Sequence, residues 1–409
     1  MVTPQPGQGR SAPPHADALS VGTALRWIKK NLFSSWLNGL LSLLALAFLY
    51  VAARGIVTWV FVTANWAPVA SNFKLFALGQ YPAEQVWRVG LIILMVSCLF
   101  GVSWGRFGGT VGAFALALGV GLGILGLLPV GFDQISIRLR LWFLANPALI
   151  ALGYWVGSRV LKGPRGLMLG WGLSIVASAF LLSGFGGSRV LPAVETGLWG
   201  GLLLTFILAL VGIIASFPIG VLLALGRRSA LPLVKILCTT FIEVVRGVPL
   251  VTILFMASIL LPLFLPEQIR IDRVLRAMIG MTLFAAAYMA ENVRGGLAAI
   301  PIGQYEAAKA VGLNGFQTML LIVLPQALRT VIPAIVGQFI ALFMDTTLAV
   351  IVGLLELLAV GKAIVQGNPE WLRLQVEVYV FIAAVFWIFT FSMSYASRRL
   401  EVALGVGKR

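Results

Sequence analysis

Ten stretches of this sequence are each apolar and long enough to be read as membrane spans, and no other feature restricts the fold as much. They cover residues 36–62, 84–104, 109–130, 141–157, 166–185, 197–225, 249–265, 275–293, 331–355 and 377–396. Crossing the hydrocarbon core takes about 20 mostly apolar residues in a helix. Within the core every backbone N–H and C=O must be satisfied by the protein itself. The expected fold class is therefore all-α, a polytopic transmembrane helical protein of about ten spans. Composition agrees: 60% of residues are hydrophobic, 11% are charged and the mean hydropathy is +0.99. A soluble domain is about half apolar and about a quarter charged. The stretch 141–157 is the weakest of the ten, because it is short and contains Asn146-Pro147. The first holds Arg54, which must snorkel or face protein.

Several function classes fall away. Cys98 and Cys238 both lie in or beside apolar runs, which suits small buried hydrophobes better than a disulfide framework. His15 is the only histidine, so His-based metal sites and His-centred triads are not expected. The net charge of +16 does not indicate nucleic-acid binding, because the basic residues sit in ones to threes between apolar runs. In that arrangement they set topology. With the amino terminus in the cytoplasm and ten crossings, inside segments hold nearly twice as many Lys and Arg as outside ones. Arg270, Arg273 and Arg276 run against the rule. Residues 1–30 are expected to form a disordered or amphipathic cytoplasmic start, with disorder over Met1–Ser20, which carries four prolines, and no signal peptide is expected. Residues 401–409 form a cytoplasmic tail. Glycines four apart, as at Gly101 and Gly105, Gly119 and Gly123, and Gly197 and Gly201, predict close helix packing.

One connection, 294–330, is too long and too patterned to be a plain loop. Pro301 suits a helix start. Glu306, Ala307, Ala308 and Lys309 are good helix formers. Gly312 then fits a left-handed stop. Asn314 is placed to cap a second helix over 315–324, which Pro325 breaks or kinks. The expected product is a helix–Gly–helix elbow on the cytoplasmic side, displaying a flat Ala-Ala surface beside an acidic group. It fits either a docking element for a partner's groove or an amphipathic connector on the membrane.

At this point the sequence resembles a known family. Glu306-Ala307-Ala308, Gly312, Ile322 and Leu324-Pro325 match the EAA–G–I-LP signature of ABC importer permeases, with its spacing. Residues 243–250 (EVVRGVPL), 287–296 (AYMAENVRGG) and 345–348 (DTTL) narrow the likeness to the polar-amino-acid uptake branch, with a histidine/glutamine-type core of five spans. The resemblance implies a type I importer permease core over 191–400. The preceding five spans, 31–190, resemble the accessory membrane region of larger permeases of general L-amino-acid importers. It implies that Glu306, Ala307, Ala308, Lys309, Gly312, Leu313, Leu324 and Pro325 couple to an ATPase. Family members often carry Lys before the Asp-Thr stretch, where this chain has Met344.

The chain is not expected to be its own motor or an enzyme. The nearest phosphate-loop candidate, Gly361-Lys362-Ala363, fails at its last position and has Glu356 where the first glycine belongs. The resemblance therefore implies no cofactor on this chain, with ATP and Mg2+ held by two separate ATP-binding subunits. It also implies a second related permease, a periplasmic amino-acid-binding protein and an inner-membrane location in contact with lipid. Intramembrane polar residues are candidates for the pathway. Gln338 and Asp345 share a helix face, with Thr346 and Thr347 beyond them, and Glu291 and Asn292 close the eighth span. Glu291 also lies three residues from Arg294, and Glu243 three from Arg246, just before Pro249; the latter three are candidates for bracing a gate. An ion channel or secondary carrier is the alternative, but it would leave the elbow signature unused and would want repeated halves.

Overall fold

The computed structural model describes residues 27–127, 137–160, 163–266 and 268–405. The expectations for Met1–Ser20, His15 and the final charged residues Lys408 and Arg409 lie outside these. The chain divides into two compact units, Met1–Asn65 and Trp66–Arg409. The first unit is built on α1, Trp36–Thr58, which Ser35 caps by accepting from the Asn38 N–H. A π turn, Trp59–Thr63, extends it. None of this span's most apolar window is buried within the unit. A helix apolar on all sides takes lipid or another membrane chain as its surroundings.

The second unit begins with two short helices, Ala67–Ser71 and Phe73–Leu78, followed by α2 (Val86–Phe107), α3 (Gly109–Leu127), α4 (Ile137–Arg159) and α5 (Pro164–Ser183). α2 and α4 interlock through glycines. A Cβ on Gly101 would stand 2.2 Å from the Ile150 carbonyl oxygen, and one on Gly153 would stand 2.3 Å from that of Cys98. Pro147 inside α4 removes the N–H that would serve Phe143. The Asn146 amide turns back to donate to the Trp142 and Phe143 carbonyls, while its Oδ1 accepts from Ser97 Oγ at 2.6 Å. The stretch that looked weakest in sequence is thus a full helix pinned to its neighbour. On the outer side, as the span order predicts it, buried Arg88 donates to the Leu181 and Pro192 carbonyls and to Gln85.

Five further crossings follow: α6 (Gly201–Arg227), α8 (Leu250–Phe255, extended through a π turn and a last helical turn to Phe264), α9 (Arg273–Ala298), α12 (Ile332–Asp345) and α14 (Gln375–Ala403). Between α6 and α8 lies α7, Pro232–Gly247, and a bend of 108° separates α7 from α8. α7 does not cross. Glu243, eleven residues into it, meets Arg227 at the very end of α6 at 2.8 Å. A crossing helix would by then have climbed about 17 Å at 1.5 Å per residue. α7 therefore lies along the membrane surface, with Leu233, Ile236 and Leu237 exposed on its apolar side. The crossing is made by Leu250–Phe264 alone. Arg276, in the first turn of α9, donates to the Ser258 carbonyl in the second half of that leg. Among the described residues there are nine straight spans plus this bent pair, which agrees with the ten stretches read from sequence. The sequence reading had no helix in the place of α7, nor α13 (Leu357–Gly367), which is too short to cross.

The segments that join these helices are knitted together. Gly201 (φ +58°) donates to the Leu355 carbonyl, and a side chain there would strike the Phe76 carbonyl oxygen. Glu356 caps α13, accepting from the Leu358 and Ala359 N–H groups, and Thr205 Oγ1 accepts from the Leu357 N–H.

Candidate coupling element and translocation pathway

α10, Ile302–Ala310, starts at Pro301, which is the N-cap and not the first helical residue. Its end has two crossed bonds: the Leu313 N–H donates to Ala308 and the Gly312 N–H to Lys309. This closure needs a left-handed residue, and Gly312 has φ +83°. Asn314 then forms a reciprocal capping box with Gln317. The following helix corrects the sequence expectation at Pro325. It runs on as Gly315–Gln317, a π stretch Thr318–Val323 and α11, Leu324–Thr330. The π register just before Pro325 accommodates its missing N–H, so the proline does not end the helix.

The two arms are tied by Gln326 Nε2 donating to Gln304 Oε1 at 3.0 Å. Glu306, Ala307, Lys309 and Gly312 are exposed, but Ala308 and Leu324 are buried. The flat Ala-Ala surface expected from sequence is therefore a single exposed Ala307; Ala308 faces the body of the protein. What the elbow exposes instead is apolar: Ile302, Val311 and Phe316 are each about three-quarters exposed (73%, 75% and 75%). Sequence reasoning passed over Phe316, although an aromatic two residues after a capping Asn on an amphipathic arm was a visible signal.

Above the elbow, three helices meet in a charged hub. Glu291 of α9 accepts from Arg294 Nε at 2.8 Å. Its other oxygen faces Arg227 and Arg246, each at 3.6 Å. Glu243 of α7 does not pair with Arg246 on its own helix but with Arg227 of α6 at 2.8 Å. That contact is short but off the hydrogen-bonding direction, so it is a charge contact. Arg246 stacks over the Tyr288 ring at 5.5 Å. Glu243, Arg246 and Glu291, which the sequence singled out separately, thus share one site with Arg227, which sequence reasoning read only as a topology marker. Three guanidiniums face two carboxylates. Pro249 stands at the bend between α7 and α8, as the N-cap of α8.

The remaining pathway candidates sit elsewhere. Gln338 and Asp345 lie on α12, half-buried. Asp345 is in no ion pair among those found for the described residues. Thr346 and Thr347 do not continue the α-helix but open the 3-10 segment Thr346–Val352. Their hydroxyls donate back to the Phe343 and Met344 carbonyls, so both are satisfied locally. Asn292 is half-buried beside the hub on α9. Among the described residues no group of His, Cys, Asp and Glu is arranged to hold a metal ion.

The helical elbow thus lies on the same side of a polytopic bundle as its charged hub. Residues 216–404 match the family described as "Binding-protein-dependent transport system inner membrane component". The chain is 37% identical over 97% of its length to "Inner membrane amino-acid ABC transporter permease protein YhdY" of Escherichia coli (strain K12), covering 98% of that protein. It is 36% identical to "Glutamate/glutamine/aspartate/asparagine transport system permease protein BztC" of Rhodobacter capsulatus, with 95% of each chain covered. The chain belongs to this family of inner-membrane ABC transporter permeases. "Probable glutamine ABC transporter permease protein GlnP" of Bacillus subtilis (strain 168) is 36% identical, over 50% of this chain and 92% of that one. A solved structure titled "Crystal structure of an amino acid ABC transporter with histidines" aligns with 50% of this chain and 92% of its own, at 26% identity and a TM-score of 0.45.

Proposed function

We propose that this permease forms half of an import pathway for polar or general L-amino acids, paired with a second related permease. Two ATP-binding subunits dock below it and hold the ATP and Mg2+. A periplasmic amino-acid-binding protein delivers substrate from the other side. The two relatives that span nearly the whole chain carry amino-acid transport in their names, which supports the substrate class.

The observation that carries the reading is the elbow. It is a rigid unit, closed by Gly312, cross-tied by Gln304 and Gln326, and presenting Ile302, Val311 and Phe316 to the outside. Exposed apolar side chains on a rigid corner suit docking into a partner's groove. ATP-driven closure of the ATPases pushes the elbow, which moves α9 and α12 at its two ends. The hub then acts as a latch: α6, α7 and α9 separate only when the contacts of Glu291 with Arg227 and Arg246 break. Asp345, in none of the ion pairs found among the described residues, is the carboxylate that chemistry favours to meet an ammonium group.

The test is ATP-dependent uptake of labelled amino acids by proteoliposomes containing the assembled transporter. Gly312→Asp, which forces a side chain into a left-handed position, and Glu306→Lys, which reverses the exposed charge, are expected to lower uptake at least tenfold while the complex stays assembled. Unchanged uptake in both variants would reduce the elbow to a connector.

A further inference from the structure

Where the last span runs down beside the coupling segment, the surface is cut by an apolar groove of about 440 Å³. Its walls include Phe217 of α6, Leu328 of α11, Ile332 and Phe339 of α12, Leu400 of α14 and Leu404, the C-cap of α14. Among the described residues Arg329 is the one charged residue in the lining, and no carboxylate is present there. Arg329 is exposed and takes part in none of the ion pairs found among the described residues.

We propose that this groove seats an acyl chain of an anionic phospholipid whose phosphate is held by Arg329. The reading of the elbow as cytoplasmic places the groove at the water–lipid boundary, because Arg329 lies between the elbow and the first turn of α12. Almost every wall is hydrocarbon, so a water-borne solute gains little there beyond the one guanidinium. A phospholipid matches both parts of the site: a chain for the slot and an oxyanion for a guanidinium at its rim. The planar guanidinium is suited to phosphate oxygens, and basic residues on this side face anionic headgroups. A helix of a second permease covering the slot would instead have to bring its own carboxylate to Arg329. The walls come from α6, the coupling segment, α12 and the last span, so a seated lipid joins the element that receives the push to the helices that must move. ATP-driven uptake is then expected to rise when anionic lipid is supplied.

The experiment uses the assembled transporter, reconstituted in vesicles of phosphatidylcholine with a minority of phosphatidylglycerol, then extracted and analysed by mass spectrometry for retained lipid. Wild type is expected to retain phosphatidylglycerol in preference to phosphatidylcholine. Arg329→Gln should reduce that preference about fivefold, the attraction one basic residue has for an anionic headgroup. Arg329→Lys should restore most of it. Leu404→Trp, which fills the slot without changing charge, should reduce retention of both lipids. Equal preference in wild type and Arg329→Gln overturns the proposal. So does a photoreactive residue at position 404 that captures a protein chain and no lipid. Retention is read without transport, so the proposal can fail while the import reading stands, and the reverse.

Discussion

The residues that matter most here are those whose charge the membrane makes expensive. Glu291 shares its two oxygens among three guanidiniums, and the contacts come from three different helices. Neutralising it leaves Arg227, Arg246 and Arg294 facing Glu243 alone. Glu291→Gln is expected to lower the thermal midpoint of the purified complex and to cut uptake about tenfold. Groups in one network couple, by on the order of 1 kcal/mol. The double variant Glu291→Gln/Arg246→Gln should therefore be less damaged than the sum of its single variants. Strict additivity in thermal unfolding would show that the two charges act independently. Glu356 gives a pH-dependent counterpart on the other side. It is fully buried, and burial pushes its carboxyl up to about 7, against the opposing pull of the Leu358 and Ala359 N–H groups. Between the ordinary carboxylate range and about 7, the folded protein holds a proton that the unfolded chain has released. Stability from this group is therefore greatest at the acid end and is lost as pH rises through about 7. Glu356→Gln keeps a capping oxygen and removes the titration. Its thermal midpoint should depend less on pH than that of wild type from about 5.5 to about 8, and identical slopes would count against the assignment.

At the level of elements, what could be read from sequence was what neighbouring residues decide among themselves. A run of apolar side chains marks a span wherever it packs, and the ten stretches match the described spans to within a few residues in most cases. Gly312 and Asn314 set the elbow through bonds within five residues, so their spacing carried the geometry. The bend before α8 had a signal in Pro249, but that α7 lies flat is known only from where Glu243 finds Arg227. Pairing across helices explains the other misses: Glu243 and Arg246 are well spaced for each other, yet partners on α6 and α9 win. Pro325 was misjudged because a π register can absorb a proline. The glycine pattern on α2 was legible, but its match on α4 was not. Gly153 and Gly157 there face the Cys98 and Val102 carbonyls, with room for no Cβ. Gly153→Ala is expected to cost about 1–3 kcal/mol by overpacking, read as a lower thermal midpoint. Gly172→Ala, on a helix face with nothing within 4 Å, is the control. Equal effects of the two substitutions would remove the interlock from the account.

For the whole molecule the decisive quantity is parity. Nine straight spans and one bent pair give nine or ten crossings, and the two ends of the chain share a side only for ten. The hub argues for ten. Arg227, at the end of α6, and Arg294, four residues before the end of α9, both reach Glu291. The chain between α6 and α9 must therefore leave this side once before α9 returns to it, and only Leu250–Phe264 is available to do so. Its fifteen residues rise about 22 Å, less than the hydrocarbon thickness of about 30 Å, so the bilayer must thin around it or the flanking loops must dip. The prediction is read by labelling single cysteines with a membrane-impermeant maleimide after Cys98 and Cys238 are replaced by Ser. Arg189→Cys and Asn368→Cys should react from outside intact cells. Ala230→Cys, before the bent pair, and Lys309→Cys, on the elbow, should react only after permeabilisation. If positions 230 and 309 label from opposite sides, the leg does not cross. The hub would then lose its place on a single face, and a latch worked from the elbow's side would lose its physical basis.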